Sequence, residues 1–495
     1  MKKTFLKLSK NSFFYLVANF TSVFLSLILL PLYTSFLTPN EYGVIAIILS
    51  ITTLFFAFYA LGLTESLRRF YFDYENKIDK RELKKYISTI ILFVFVYGFI
   101  FTFFIVCCRN IIENYVKDVS FFPYVIIAML SAYFAVFFRI RLALYQIEQK
   151  VKNYSFLFIS SIFLQNLLII YLVVFQNQGT LGYILAILIN NIIFAGISFW
   201  TLRNYLIPTI DIIKLKTSLR YGLPLVPSLF AGWMLVSADK LILNDLIGTY
   251  EVGLYSIGHK IGVGMNLLIA SINFAWIPYF FMAMKSKNSS AKKEVSGLVT
   301  YWVIVICVVF LLFSIFSKEI VSIFVSSQYY LAYKVIPLIA LAYLFGGFCS
   351  IAIGPLLWKG KTFTILVATI TSGILSVTLN FFLIPKFQMM GAALVMAISF
   401  IYYFSFIFHF SLKTSLLCYE YRRLFKIFTV TILCYLIAFF FLKTENFWFS
   451  IFLKLCVITM FPIFLYFLNF WKEEEKNVVR NVLKYGKKYI TNIFS

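Results

Sequence analysis

Long apolar runs, each bounded by charged or turn-forming residues, fill this sequence from one end to the other. Hydrophobic residues make up 62% of the chain and charged residues only 13%, whereas soluble domains are nearer half apolar and a quarter charged. A helix that crosses a bilayer needs about 20 apolar residues, because its backbone polar groups find no water there. The sequence therefore predicts an all-α polytopic membrane protein with short loops and no soluble domain.

The positions of these runs predict about 14 transmembrane helices. The stretch from Phe13 to Leu37 follows lysines as a signal peptide would, but it is too long and lacks a small-residue cleavage site, so we interpret it as the first span. The seven cysteines show no CxxC spacing, which favours packing roles, and we expect no metal site. The expected spans are 12–36, 43–64, 87–108, 121–139, 155–175, 181–202, 221–247, 253–284, 298–317, 332–357, 363–384, 391–412, 427–442 and 447–471.

Lysine and arginine are distributed very unevenly among the predicted loops. With the N-terminus placed in the cytoplasm, the inner segments hold 35 of the 44 basic residues and the outer loops hold 6. Positive charge is in excess on cytoplasmic loops. We therefore expect a multi-pass protein of the cytoplasmic (inner) membrane with both termini cytoplasmic. The net charge of +24 is then explained by contact with anionic membrane lipids, without nucleic acid.

The two halves of the chain resemble each other at a nearly constant offset. Glu41-Tyr42-Gly43 corresponds to Glu251-Val252-Gly253 in short outer turns, and Gly182 corresponds to Gly391 at almost the same spacing. An even number of spans separates the halves, which predicts a parallel repeat with the substrate site between its two parts. The expected units are an N-lobe of spans 1–6 (1–202), a cytoplasmic linker (203–220), a C-lobe of spans 7–12 (221–412), and two extra helices with a basic cytoplasmic tail (413–495).

Three ionisable residues, Asp239, Lys240 and Lys260, lie within the seventh and eighth spans. Charged groups at membrane depth are expensive and usually belong to a transport pathway. At about 1.5 Å per residue both lysines lie about 10–12 Å below the outer surface. One carboxylate does not neutralise two lysines, so a positive charge is left for an anionic substrate. Alternatively, Asp239 pairs with one lysine and only fixes two helices, or the lysines extend outward to the interface.

Further charged residues extend this candidate site toward the inner side. Glu65 and Arg68 close the second span and Arg139 ends the fourth, where arginines also serve as topology signals. We interpret Arg68 and Arg139 as candidate substrate contacts. His259, Asp239 and Glu65 are candidate charge partners or ion-coupling groups.

Uncharged residues complete the candidate site. Asn273 and Asn380 lie deep enough in their spans to line a cavity, or to join helices by hydrogen bonds. Proline and glycine interrupt the seventh and eighth spans, and broken helices at a repeat interface are where alternating-access transporters bend. The candidate gating residues are Pro224, Pro227, Gly258 and Gly262.

Five passages together resemble the polysaccharide transporter family, which comprises oligosaccharide flippases, O-antigen flippases among them, of the multidrug/oligosaccharidyl-lipid/polysaccharide exporter superfamily. The resemblance covers nearly the whole chain in the right order. The passages are PLYTSFLTPNEYGVIAI (31–47), RRFYFDY (68–74), YGLPLVPSLFAGWMLVSADKLIL (221–243), VGLYSIGHKIG (252–262) and NFFLIPKFQMMGAAL (380–394).

The resemblance implies two six-helix lobes around a V-shaped cavity with two added C-terminal helices. It implies a polyprenyl-pyrophosphate-linked oligosaccharide as substrate, moved from the inner to the outer leaflet by alternating access for surface polysaccharide (O-antigen or capsule) biosynthesis. A coupling ion, H⁺ or Na⁺, is implied as driving force, with no other cofactor. A polysaccharide polymerase and chain-length machinery are implied partners. Family members carry a cationic cavity, and Arg68, Lys240 and Lys260 lie in the matching passages.

Several alternatives fit the sequence less well. Lipid II flippases of the same superfamily carry charge early in the first span, which here has only Asn19. A drug or cation antiporter would need acidic cavity residues. A membrane polysaccharide polymerase would need a large outer loop, yet the longest outer segments, 108–120 and 318–331, are short. A membrane O-acyltransferase would need a catalytic histidine in a polar pocket. We therefore expect a transporter and not an enzyme.

Overall fold

A computed structural model describes residues 14, 17–18, 20–75, 80–110, 113, 119–286, 289–414, 416–417, 419–441, 446–473 and 475. These residues form helices and turns, and no strand occurs among them. The helices of the first half are α1 (Leu30–Phe36), α2 (Pro39–Ala60), α3 (Leu63–Glu75), α4 (Lys80–Cys107), α5 (Ile126–Ile147), α6 (Val151–Ile169) and α7 (Gly179–Leu202). Those of the second half are α8 (Ile212–Gly222), α9 (Val226–Val236), α10 (Ala238–Leu246), α11 (Thr249–Lys285), α12 (Ser289–Ile315), α13 (Ser317–Phe324), α14 (Ile336–Trp358) and α15 (Thr362–Leu412). The last two are α16 (Tyr421–Phe441) and α17 (Phe447–Phe467).

In the described part of the chain, 11 helices are long and apolar enough to cross a membrane. One of them, α15, has 51 residues and bends at Gln388, whose φ of 52° lies in the left-handed region, so it covers two of the predicted spans. The long helix α11 covers the predicted eighth span, and an apolar helical stretch, Phe20–Phe36, covers most of the first. The all-α polytopic class is confirmed, while the count of 14 spans stays a prediction.

Local sequence signals explain where α2 begins and ends. Thr38 accepts a hydrogen bond from the Glu41 backbone N–H while the Glu41 side chain accepts from Thr38 N–H, and Pro39 occupies the first turn. The helix ends at Leu61 and Gly62, which both have positive φ, and α3 then starts in a new direction. The paired hydrogen bonds of Thr38 and Glu41, a capping box, set the start of α2 at the predicted outer end. The left-handed turn at Leu61 and Gly62 ends the helix at the predicted inner end.

The predicted seventh span is divided into three helices. A 3₁₀ turn at Leu223–Leu225 separates α8 from α9, and non-helical backbone at Ser237 separates α9 from α10. The first of the three, α8, lies mostly within the segment predicted as a linker. Asp211 caps it by accepting from two backbone N–H groups. Although burial acts in the opposite direction, hydrogen bonds from Lys214 hold the pKa of the Asp211 carboxyl below its ordinary value.

Two glycines at equivalent places in the repeat bring the halves into contact near the predicted outer end. A Cβ added to Gly43 would lie 2.0 Å from the carbonyl oxygen of Thr249, and one added to Gly253 would lie 2.0 Å from that of Pro39. Pro39 and Thr249, which carry these carbonyl oxygens, are separated by the same number of residues as Gly43 and Gly253. The contacts between α2 and α11 are therefore reciprocal. Two-fold related lobes would meet in this way, and only glycine permits so close an approach of two backbones.

A second contact joins the halves at the other end of α2. A Cβ added to Gly62 would lie 2.4 Å from the carbonyl oxygen of Gly222. Close by, Ser66 Oγ donates a hydrogen bond to Ser218 O at 2.7 Å, which ties α3 to α8. Gly43 and Gly62 are separated by about 28 Å along a helix, which approaches the thickness of the hydrocarbon layer. The two halves are therefore in direct contact near both ends of α2.

Candidate functional site

Lys260, on α11 of the second half, lies against tyrosines of the first half. Its Nζ donates a hydrogen bond to Tyr42 OH at 3.2 Å and lies 5.8 Å from the ring centroids of both Tyr42 and Tyr33. Tyr33 OH in turn donates to Asn166 Oδ1 at 2.7 Å, and its ring contacts Tyr183 edge-on. Among the residues that the structure describes, no carboxylate pairs with Lys260. Neutral aromatic groups thus surround this cation, and an anionic ligand would bind it more strongly than they do.

Lys240 has different surroundings, in the interior of the second half. Its side chain is buried, with Nζ 3.7 Å from Asp239 Oδ1 and donating to Val236 O at 3.2 Å. The other oxygen of Asp239 accepts a hydrogen bond from Tyr255 OH, and Asp239 itself is only 3% exposed. Of the two pairings left open by the sequence, the structure has Asp239 with Lys240. Lys260 is therefore the lysine at the interface, and Lys240 lies in the wall of the second half.

His259 continues this cluster away from Lys260. Its ring centroid lies 6.0 Å from that of Tyr255, and its Nε2 lies 3.4 Å from Tyr343 OH on α14. A line of contacts thus runs from Asp239 through Tyr255 and His259 to Tyr343. It contains two of the three residues predicted for charge pairing or ion coupling. The third, Glu65, lies elsewhere.

The two predicted asparagines have unused hydrogen-bonding capacity. Among the described residues, Asn380, on α15, is fully buried with no partner for either amide atom, and Asn273 Oδ1, on α11, is buried without a partner. Asn190 Nδ2 donates to Ser161 Oγ at 3.1 Å and joins α7 to α6, while its Oδ1 is buried without a partner among the same residues. Buried amides nearly always have partners, so Asn273 and Asn380 retain capacity for a polar ligand or water.

The predicted arginines lie at the predicted inner end of the first half. Arg68 forms a half-exposed ion pair with Glu65 at 2.9 Å and donates to Gln146 Oε1 at 2.9 Å. Arg139 is exposed on α5. An exposed ion pair contributes only about 0–1 kcal/mol, so Arg68 exchanges its partner easily. These arginines are separate from Lys240 and Lys260, and a role for them in substrate binding stays a prediction.

Arg141 lies two residues beyond Arg139, at the predicted inner end of the fourth span. It is 6% exposed, its guanidinium carbon lies 3.8 Å from the Tyr145 ring centroid, and its Nε and Nη1 have no hydrogen-bond partner among the described residues. The predicted span ended at 139, whereas α5 continues to Ile147 and buries this side chain. The apolar sequence from Leu142 to Leu144 is the signal that would have extended the helix.

The four candidate gating residues divide into two kinds. Pro224 and Pro227 lie at the 3₁₀ turn between α8 and α9, where the α-helical hydrogen bonding is interrupted while the flanking backbone keeps helical angles. Gly258 and Gly262 do not break α11, which is continuous, so the expected interruption there is wrong. Instead, added Cβ atoms would collide with Val335 and Ile339 at 2.3 and 2.5 Å, so these glycines permit close packing against the start of α14. A gating role for any of the four stays a prediction.

Sequence comparisons give matches over more than half of the chain. A family model described as "Polysaccharide biosynthesis protein" matches residues 33–334. A protein of the Lsg locus of Haemophilus influenzae is 25% identical over 293 residues, covering 57% of this chain and 68% of that protein.

Solved structures share the fold over most of the chain. The lipid II flippase MurJ in an inward closed conformation superposes with a TM-score of 0.72 at 15% identity, covering 93% of this chain and 99% of MurJ. An inward-facing multidrug resistance MATE family transporter of the MOP superfamily gives a TM-score of 0.64 at 14% identity, covering 80% and 94%. At such identities the likeness concerns the fold alone.

Proposed function

The chain belongs to the polysaccharide biosynthesis protein family, and on that premise we propose that it is a flippase for a polyprenyl-pyrophosphate-linked oligosaccharide. The protein is a membrane transporter and not an enzyme. It moves the substrate from the inner to the outer leaflet of the cytoplasmic membrane and supplies surface polysaccharide synthesis of the O-antigen or capsule type. A polysaccharide polymerase and chain-length machinery would act on the delivered product.

The observation that supports this proposal most is the position of Lys260. It lies between the two halves, at membrane depth, and its ammonium group lies against the neutral tyrosines Tyr33 and Tyr42, with no carboxylate partner among the described residues. A pyrophosphate-linked sugar does not cross hydrocarbon unaided, because its charges and hydroxyls would lose their water. An ammonium group without a carboxylate partner, set among aromatic rings, replaces part of that water. A cation substrate would be repelled there.

The direct contacts between the halves near both ends of α2 suggest how the site alternates. In the inward-open state, the contact between Gly62 and Gly222 separates and the substrate approaches from the side of Arg68. Its pyrophosphate then displaces Tyr42 from Lys260. Separation of the contact between Gly43 and Gly253 opens the opposite path, while the polyprenyl tail stays in lipid between the lobes.

The line from Asp239 to His259 is the proposed place of ion coupling. Both Asp239 oxygens already have donors nearby, from Lys240 and Tyr255, and an ammonium group lies 3.7 Å away. This donor set does not fit Na⁺, which needs several unoccupied oxygen atoms. A proton fits, because protonation of Asp239 would release Lys240. A driving ion must bind one state better than the other, and this rearrangement would provide that difference.

Deletion of the gene tests the proposed substrate. The account predicts that a polyprenyl-pyrophosphate-linked oligosaccharide accumulates on the inner leaflet and that surface polysaccharide disappears, with both effects reversed by the wild-type gene. Mass spectrometry of extracted lipids identifies the accumulated species. Accumulation of lipid II, or unchanged lipid-linked glycans, would contradict the proposed substrate.

A further inference from the structure

A cavity of about 930 Å³ opens at the predicted outer end and is lined by residues of the second half and of the two C-terminal helices. It is bounded by the end of α12, by α13 and the turn that follows it, by the start of α14, and by the two C-terminal helices α16 and α17. A cavity of this volume is large enough to hold a small organic ligand or a lipid headgroup. The transport pathway proposed above does not use this cavity.

A buried ion pair forms part of the cavity wall. Lys454 Nζ lies 2.6 Å from Glu319 Oε1, and Ser450 Oγ donates to the same oxygen at 2.7 Å. Glu319 is 7% exposed, and its second oxygen, Oε2, has no hydrogen-bond partner among the residues that the structure describes. Ser314 Oγ, on a residue that also lines the cavity, is likewise buried without a partner in the described part of the chain. A buried carboxylate oxygen without a donor is unfavourable, so this position calls for a ligand that carries hydroxyl groups.

The mouth of the cavity is positively charged. Lys318 and Lys334 are exposed and line it, and Lys318 Nζ lies 5.1 Å from the Tyr333 ring centroid. Neither lysine has a carboxylate partner among the residues that the structure describes. Since Glu319 is neutralised by Lys454, the described lining carries two surplus positive charges. Paired lysines favour a phosphate group.

Apolar residues of α16 and α17 also line the cavity, beside Ser450 and Lys454 of α17. Phe439 and Phe447 line it. Beyond them, Phe440 and Trp448 are 60% and 77% exposed on the same two helices. An occupant therefore needs apolar chains that leave sideways along this surface, in addition to a phosphate and hydroxyl groups.

We propose that this cavity binds the headgroup of an anionic lipid from the outer leaflet. The phosphate lies between Lys318 and Lys334, a headgroup hydroxyl donates to Glu319 Oε2, and the apolar chains run along α16 and α17. The chemical class is a lipid phosphodiester with free hydroxyls, as in phosphatidylglycerol.

Lipid binding to the purified full chain tests the proposal. Fluorescent phosphatidylglycerol is titrated in detergent micelles, with phosphatidylcholine and inorganic phosphate as comparison probes. The variant K318Q/K334Q is expected to bind phosphatidylglycerol at least tenfold more weakly. The matched variant K359Q/K361Q, which alters two exposed lysines at the opposite end, is expected to bind within twofold of wild type. Equal loss in both variants, equal binding of phosphatidylcholine, or displacement of the lipid by equimolar inorganic phosphate would overturn the proposal.

A second comparison isolates the hydroxyl contact. Phosphatidylethanol has the same charge and phosphodiester as phosphatidylglycerol but no hydroxyls, so wild type is expected to bind it several-fold more weakly. The variant E319Q/K454M removes the buried pair without leaving a lone charge and is expected to lose this preference, while its thermal unfolding midpoint verifies folding. A preference that persists in the folded variant would refute the assignment of Glu319.

Discussion

At the scale of single residues, two lysines that look equivalent in sequence have opposite surroundings. Both lie at similar depth, but rotation about a helix axis is set by packing and is not encoded in the local pattern. The structure turns Lys240 toward Asp239 in the interior and Lys260 toward tyrosines of the other half. Substitution of Lys240 should therefore lower the stability of the fold, and substitution of Lys260 should lower the rate of transport.

Lys260→Gln is expected to reduce surface polysaccharide at least tenfold with little loss of stability. The glutamine retains a hydrogen bond to Tyr42 but has no charge for a pyrophosphate. Surface polysaccharide is measured in a gene-deletion background, and membrane insertion is verified by immunoblot. Lys359→Gln, at an exposed lysine far from the site, is the control. Wild-type levels of polysaccharide in the Lys260 variant would refute its role.

Lys240→Met is expected to destabilise the fold by about 3–5 kcal/mol, because it leaves the buried Asp239 carboxylate without a cationic partner. The double variant D239N/K240M should recover much of this loss. The midpoint of thermal unfolding in detergent measures the stability of the single and the double variant. If the single variant unfolds at the wild-type temperature, the ion pair does not stabilise the second half as described.

At the scale of elements, the sequence predicted where most helices lie but not how they are divided. Pro224 and Pro227 indicated an interruption of the seventh span, and the structure divides this stretch into α8, α9 and α10, although hydropathy gave no boundaries for these helices. The prediction was wrong in α11, where Gly258 and Gly262 suggested a break. In the structure α11 is continuous, and these two glycines allow it to pack closely against the start of α14.

The crossing of α2 and α11 gives an element-scale prediction. In both Gly43→Ala and Gly253→Ala the new methyl group meets a carbonyl oxygen 2.0 Å away, so the helices must separate. Each variant is expected to lower the thermal unfolding midpoint by several degrees. In Gly196→Ala, where no neighbouring atom lies within 4 Å, the midpoint should not fall. Equal midpoints in all three variants would mean that the crossing is not tightly packed.

At the scale of the whole molecule, composition and the uneven distribution of basic residues predicted more of the fold than any single motif did. An all-helical membrane protein followed from hydropathy, and the reciprocal glycine contacts match the repeat offset seen in the sequence. The cavity beside α16 and α17 was not predictable, because its polar residues come from segments far apart in sequence. Lys454, in the predicted span 447–471, and Glu319 are 135 residues apart in sequence, and only the fold places them side by side.

The charge bias also predicts the orientation of the molecule. A reporter that is active only in the cytoplasm is expected to give a signal when it is fused to the C-terminus. In the predicted topology, 35 of the 44 basic residues lie on the same side of the membrane as this terminus. A fusion in the outer segment near Lys318 should give the opposite result and serves as the control. An external signal from the C-terminal fusion would overturn the orientation, and with it the direction of transport.

Reconstitution tests the central claim most directly. Purified protein is placed in liposomes that carry a fluorescent polyprenyl-pyrophosphate-linked oligosaccharide, and a membrane-impermeant quencher reports the fraction in the outer leaflet over time. The account predicts that the wild-type protein equilibrates the substrate between leaflets and that Lys260→Gln slows this exchange at least tenfold. Exchange at the same rate in protein-free liposomes, or in the Lys260 variant, would contradict it.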